Sequence, residues 1–163
     1  MDTAELIRRA TAAGITIATA ESCTGGMIAA ALTDIPGSSA VVDRGFVTYS
    51  NAAKMQMLGV KAETLDAVGA VSEEVAAEMA AGAVRNAGVT LAVSVTGIAG
   101  PGGSEFKPEG RVCFGLARSG HDTVTETVEF GAIGRDKVRA ATRDRALEML
   151  SQAISQIERE TGS

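Results

Sequence analysis

The stretch TIATAESCTGGMIAAALT, Thr16–Thr33, changes character in its middle. Small and β-branched apolar residues lead in, Glu21-Ser22-Cys23-Thr24-Gly25-Gly26 forms a junction, and helix formers follow from Met27. This pattern reads as a strand over Ile15–Ala20 handing over to a helix over Gly25–Thr33. A strand that passes directly into a helix is the building unit of α/β folds. Ligands in such sheets bind beyond the carboxyl ends of the strands, so the junction is also a candidate site.

Working outward, Thr3–Ala13 is predicted as an amphipathic helix with Leu6, Ile7 and Ala10 on one side and Gly14 as its stop. Asp34-Ile35-Pro36-Gly37 closes the second helix, a strand spans Ser39–Thr48, and helices cover Ser50–Leu58, Glu63–Val68 and Ser72–Asn86. Ser72 resembles an N-cap, and Val75, Met79, Gly82 and Ala83 share a face. VTLAVSV, Val89–Val95, has the β-branched apolar character of a central strand. A glycine-rich loop follows over Gly97–Gly110. Strands over Arg111–Arg118 and Thr123–Phe130 pair through a Ser119-Gly120-His121-Asp122 turn, and a long helix runs from Gly134 to Glu160. The order predicts a single three-layer α/β/α domain over residues 1–163, its mixed sheet including a C-terminal antiparallel hairpin.

Composition narrows the function classes. The formal charge is −5 and no basic run is present, which argues against nucleic-acid binding. The two cysteines, Cys23 and Cys113, form neither a disulfide framework nor a Cys-x-x-Cys pair. The N-terminal residues carry mixed charge, unlike a signal peptide, and no uncharged stretch suits a membrane span. A reduced cytoplasmic setting is expected. His121 is the only histidine and falls in the predicted hairpin turn, so a Ser-His-Asp triad or a histidine-based zinc site is not expected, and no metal or cofactor is called for.

Three segments at strand ends carry candidate chemistry. In the first, amide groups from Cys23, Thr24, Gly25 and Gly26 could face a phosphate or a developing oxyanion, while Ser22 or Thr24 could instead be a plain N-cap. Glu21 could be a carboxylate at a favourable dipole end. In the second, FVTYSNAAKMQML, Tyr49 ends a strand and Lys54 falls in the first turn of the next helix. The helix dipole there, and any burial, would lower the pKa of Lys54 and suit it to act as a general base. In the third, Val95–Val112, Thr96 and Gly97 lie nearest the sheet end, and the loop matches neither standard nucleotide-binding glycine motif. Cys23 competes with Ser22 as nucleophile, and Ser38, Ser39, Arg44, Arg135 and Arg139 could add anion contacts.

The segments TAESCTGGMIAAALTDIPGSS, RGFVTYSNAAKMQMLGV, GAVSEEVAAEMAAGA and VSVTGIAGPGGSEFKPEGRVCFGLA together resemble the CinA C-terminal domain family, the nicotinamide-mononucleotide deamidases, over about Glu5–Leu150. The resemblance implies hydrolysis of the carboxamide of nicotinamide mononucleotide, a three-layer fold and a homo-oligomer. It implies Ser22 as nucleophile, assisted by Lys54 and Tyr49. With it, Cys23, Thr24, Gly25, Gly26, Ser39, Thr96, Gly97, Gly100 and Arg139 are expected to contact substrate. By this resemblance the chain is expected to correspond to the stand-alone form, without the additional N-terminal domain of full-length CinA proteins. Two alternatives remain: a binding module for a phosphorylated ligand, and an amidohydrolase for another small amide. The DNA-linked role suggested by the family's naming finds no basic surface in this acidic chain.

Overall fold

The computed structural model describes residues 1–104 and 106–162. Its elements are α1 (Thr3–Ala13), β1 (Ile17–Glu21), α2 (Met27–Thr33), a 3-10 turn at Ser38–Ala40, β2 (Val42–Val47), α3 (Asn51–Leu58), α4 (Ala62–Val68), α5 (Glu73–Ala87), β3 (Leu91–Gly97), β4 (Arg111–Arg118), β5 (Val124–Glu129) and α6 (Arg135–Thr161). The sheet has five strands in the order β2-β1-β3-β4-β5. β1 runs parallel to both β2 and β3, while β3-β4 and β4-β5 are antiparallel. This is the expected mixed sheet with a late hairpin.

Alternation along the strands sorts the core onto two faces. Ile17, Leu91, Val93, Val95, Val112 and Phe114 pack with Leu6, Ile28, Leu32, Val138, Leu147 and Leu150, so α1, α2 and α6 cover one face. Ala18, Ala20 and Ala92 turn the other way, toward Leu58, Val75, Met79 and Ala83 of α3 and α5. β1 and β3 are buried from end to end apart from half-buried Gly97, which is why both read as continuous apolar runs. The three-layer arrangement follows from those two apolar faces.

Several boundaries differ from the sequence reading for local reasons. α2 starts at Met27 because Gly25 and Gly26 adopt φ of +59° and +110°, outside the helical region. The strand expected from Ser39 starts at Val42, since the amide of Val41 closes a turn on the Ser38 carbonyl. Ser50 and Ser72 cap α3 and α5, accepting from the amides of Ala53 (3.0 Å) and Val75 (3.2 Å).

The parallel strands all point their carboxyl ends to one edge. Glu21 lies beside Val47 on one side and Val95 on the other, so Ser22, Thr48 and Thr96 emerge together. α5 seats against α3 through Gly82, where an added Cβ would stand 2.0 Å from the Leu58 carbonyl oxygen. Gly82→Ala is expected to cost about 1–3 kcal/mol, from overpacking of a tight interface. The check is a lowered urea midpoint at unchanged slope.

Candidate active site

The junction segment is anchored by Glu21, which is fully buried. Its Oε1 accepts from Thr24 Oγ1 (2.6 Å), the Gly26 amide (3.1 Å) and the Ile28 amide (3.0 Å), and its Oε2 accepts from the Ala29 amide (3.0 Å). The cap of α2 is therefore the strand's last carboxylate, reaching over the turn to satisfy amides that would otherwise lack partners. Neither Ser22 nor Thr24 caps the helix, which corrects the N-cap reading of those hydroxyls. Gly26 and Gly25 are needed for their positive φ, and their amides are already committed, Gly25 to the Ser22 carbonyl at 3.1 Å. Of the amides expected to face an oxyanion, that of Cys23 belongs to a residue lining the cavity, and its described contact is with its own sulfur.

Ser22 is freed by this arrangement to face Lys54. Lys54 sits in the first turn of α3 and is 2% exposed. Its Nζ donates to Ser22 Oγ at 3.0 Å, to the Thr48 carbonyl at 3.0 Å and to the Tyr49 carbonyl at 3.3 Å. The Thr48 amide in turn donates to the Glu21 carbonyl at 2.8 Å, so the lysine's support and the serine's strand are tied together. The Ser-Lys contact spans 32 positions of sequence.

A cavity of about 310 Å³ opens on this pair, with Thr96, Gly97 and Gly100 on its wall, at the small end of the usual range for ligand sites. Thr96 Oγ1 donates to the Ala70 carbonyl at 2.9 Å. Arg135 stands at the mouth, donating to the Gly100 carbonyl (2.7 Å) and to Tyr49 Oη (2.8 Å). The Tyr49 ring is exposed, and its described hydroxyl contact is with Arg135 rather than with Ser22 or Lys54.

Other expected contacts are not assembled here. Ser39 lies in the 3-10 turn before β2, and β2 begins opposite Ile17, at the far end of β1 from Ser22. Thr24 is fully buried, with its hydroxyl on Glu21. Arg139 turns to the backbone, donating Nε to the Cys23 carbonyl (3.0 Å) and Nη2 to the Thr24 carbonyl (3.2 Å). Arg44 pairs with Asp43 on the edge strand. Sequence reasoning singled out Arg135 only as one of three arginines, and had no signal for Thr48, which acts through backbone groups that every residue carries.

Burial pushes the Cys23 thiol up to about 11, against the pull of Arg139 and Lys54, so at neutral pH it is a thiol rather than a thiolate. Cys113 is raised for the same reason.

The CinA C-terminal domain model matches residues 2–154, and the chain belongs to that family. A nicotinamide-nucleotide amidohydrolase, PncC, of Escherichia coli K12 is 53% identical over 146 residues, covering 89% of this chain and 88% of that one. A CinA-like protein of Chlorobium phaeobacteroides is 56% identical over 146 residues, but the chain spans only 34% of its length. The crystal structure of a competence/damage inducible protein, CihA, from Agrobacterium tumefaciens superposes with a TM-score of 0.87 at 51% identity, covering 95% of this chain and 96% of that one. A CinA superfamily protein from Escherichia coli gives 0.89 at 38% identity, over 93% and 87%.

Two outcomes follow from the site's geometry. Glu21→Gln places an amide NH₂ against one of the backbone donors and is expected to lower the unfolding free energy by about 2–3 kcal/mol, read by denaturant titration. Native protein at pH 8 is expected to resist alkylation by iodoacetamide and to react once unfolded. Rapid native alkylation of Cys23 with loss of activity would restore the thiol as a rival nucleophile.

Proposed function

We propose that this chain hydrolyses the carboxamide of nicotinamide mononucleotide to nicotinic acid mononucleotide and ammonia, with Ser22 as nucleophile and Lys54 as general base. The observation that carries the reading is the 3.0 Å contact between Lys54 Nζ and Ser22 Oγ at the floor of the cavity. The substrate follows from the similarity to the amidohydrolase PncC over most of both chains. A buried amine on a serine hydroxyl favours an enzyme over a pure binding module.

The described partners of Lys54 can all accept from it, and the reading requires the amine to be neutral at the moment of attack. Two are carbonyl oxygens, which only accept, and the third is a hydroxyl, which can also donate. With Nζ neutral, its two N–H bonds to Thr48 and Tyr49 would turn the lone pair to Ser22, and the same separation lets the hydroxyl donate its proton to Nζ. Ser22 Oγ attacks the amide carbon, the Cys23 amide stabilises the oxyanion, and Lys54 returns the proton to nitrogen as ammonia leaves. Water, deprotonated by Lys54, then attacks the acyl-enzyme and releases the carboxylate and free Ser22. The direct contact supports proton transfer without a Tyr49 relay. Tyr49 instead holds Arg135, the guanidinium best placed at the mouth to meet the substrate's phosphate.

Ammonia release from nicotinamide mononucleotide tests this reading. Ser22→Ala and Lys54→Ala are each expected to lose about 10³-fold or more in kcat. Tyr49→Phe is expected to act mainly on KM, by loosening Arg135. Normal turnover by Ser22→Ala would overturn the nucleophile assignment.

A further inference from the structure

Arg139 is the one cation of the expected substrate set whose charge is spent behind the nucleophile rather than in the cavity. It projects from the second turn of α6, and its planar guanidinium bridges the carbonyls of two consecutive residues, Cys23 and Thr24. No carboxylate is among its described partners. A Cβ at Gly25 would stand 3.5 Å from Nη2, so the guanidinium lies close against the turn.

Resting on the reading of Ser22 as nucleophile, we propose that Arg139 is a positioning residue for acyl transfer, holding the Ser22–Gly25 turn in register with Lys54, and not a ligand of the substrate's phosphate. Two donors of one rigid fork fix both the position and the tilt of the peptide groups they hold, which one flexible ammonium cannot do. The bond to the Thr24 carbonyl also polarises the peptide whose amide, that of Gly25, donates to the Ser22 carbonyl at 3.1 Å. Such chained bonds strengthen one another, stiffening the turn at the nucleophile itself. Glu21 grips the same turn from the α2 side through Thr24 Oγ1 and the Gly26 amide. The positive charge further favours an anion beside Ser22.

The test uses the full chain with nicotinamide mononucleotide, and kcat and KM are taken per folded molecule. Arg139→Gln is expected to lower kcat about 10- to 100-fold with KM within about threefold, because misplacing the reacting groups costs rate rather than binding. Arg139→Lys, which keeps the charge but offers its donors from a single nitrogen, is expected to recover part of that loss. A tenfold rise in KM at unchanged kcat overturns the proposal, since Arg139 would then be holding substrate. A lower Tm with unchanged kcat per folded molecule overturns it as well, as the signature of a merely structural residue. Should Arg139→Gln fail to fold, Arg139→Lys reads the same split. The rate at which a fluorophosphonate modifies Ser22 is a second readout, expected to fall in parallel, and an unchanged rate counts against the proposal. Ser22→Ala separates the two ideas. Its retaining turnover removes the nucleophile and this proposal together, whereas its inactivity beside a fully active Arg139→Gln removes this proposal alone.

Discussion

A carboxylate without solvent contact holds this protein's strand-to-helix turn. Glu21 ends β1 and folds its side chain over the next residues to take three backbone amides and a threonine hydroxyl. A buried carboxylate is tolerable only when hydrogen-bonded, and here the donors are supplied by the start of α2. The demand runs both ways, because that helix start lacks any other side-chain cap. The turn is consequently tight, its two glycines are forced to positive φ, and Ser22 is presented at the sheet edge.

The same constraint decides what the site can use. With the amides of Gly26, Ile28 and Ala29 committed to Glu21, the start of α2 is not open to a ligand anion. The basic side chains near Ser22 are Lys54 in front, Arg139 behind and Arg135 at the mouth. Each comes from a different part of the chain. α3 delivers the lysine, α6 the arginines, and the β3–β4 loop the opposite wall. The sheet register brings them together, since Glu21, Val47 and Val95 stand side by side at the carboxyl ends of parallel strands.

Much of this was legible beforehand. The fold class followed from alternating strand and helix patterns, because two apolar faces on a sheet require a layer on each side. Ser22 and Lys54 stood out as a serine before a helix and a lysine at the unfavourable end of another, in a chain with no histidine placed to serve. Less legible were the ends of elements, where single backbone angles at Gly25, Gly26 and the Ser38–Ala40 turn moved the boundaries by two or three residues.

By itself the sequence determined the periodicities, hence the sheet, its two faces and which side chains are candidates for the chemistry, all of which depend on neighbours within a few residues. Only the tertiary structure decided what each polar group bonds to. Glu21, read as an ordinary carboxylate at a dipole end, became the buried anchor of the turn, and Arg139, expected to contact substrate, is found donating to backbone carbonyls. Ser39, close in sequence to the site, was left at the opposite end of the strands. The reason is geometric. Hydrogen bonds act over about 3 Å, and whether Lys54 comes that near Ser22 is settled by strand register and helix placement, which no local pattern encodes.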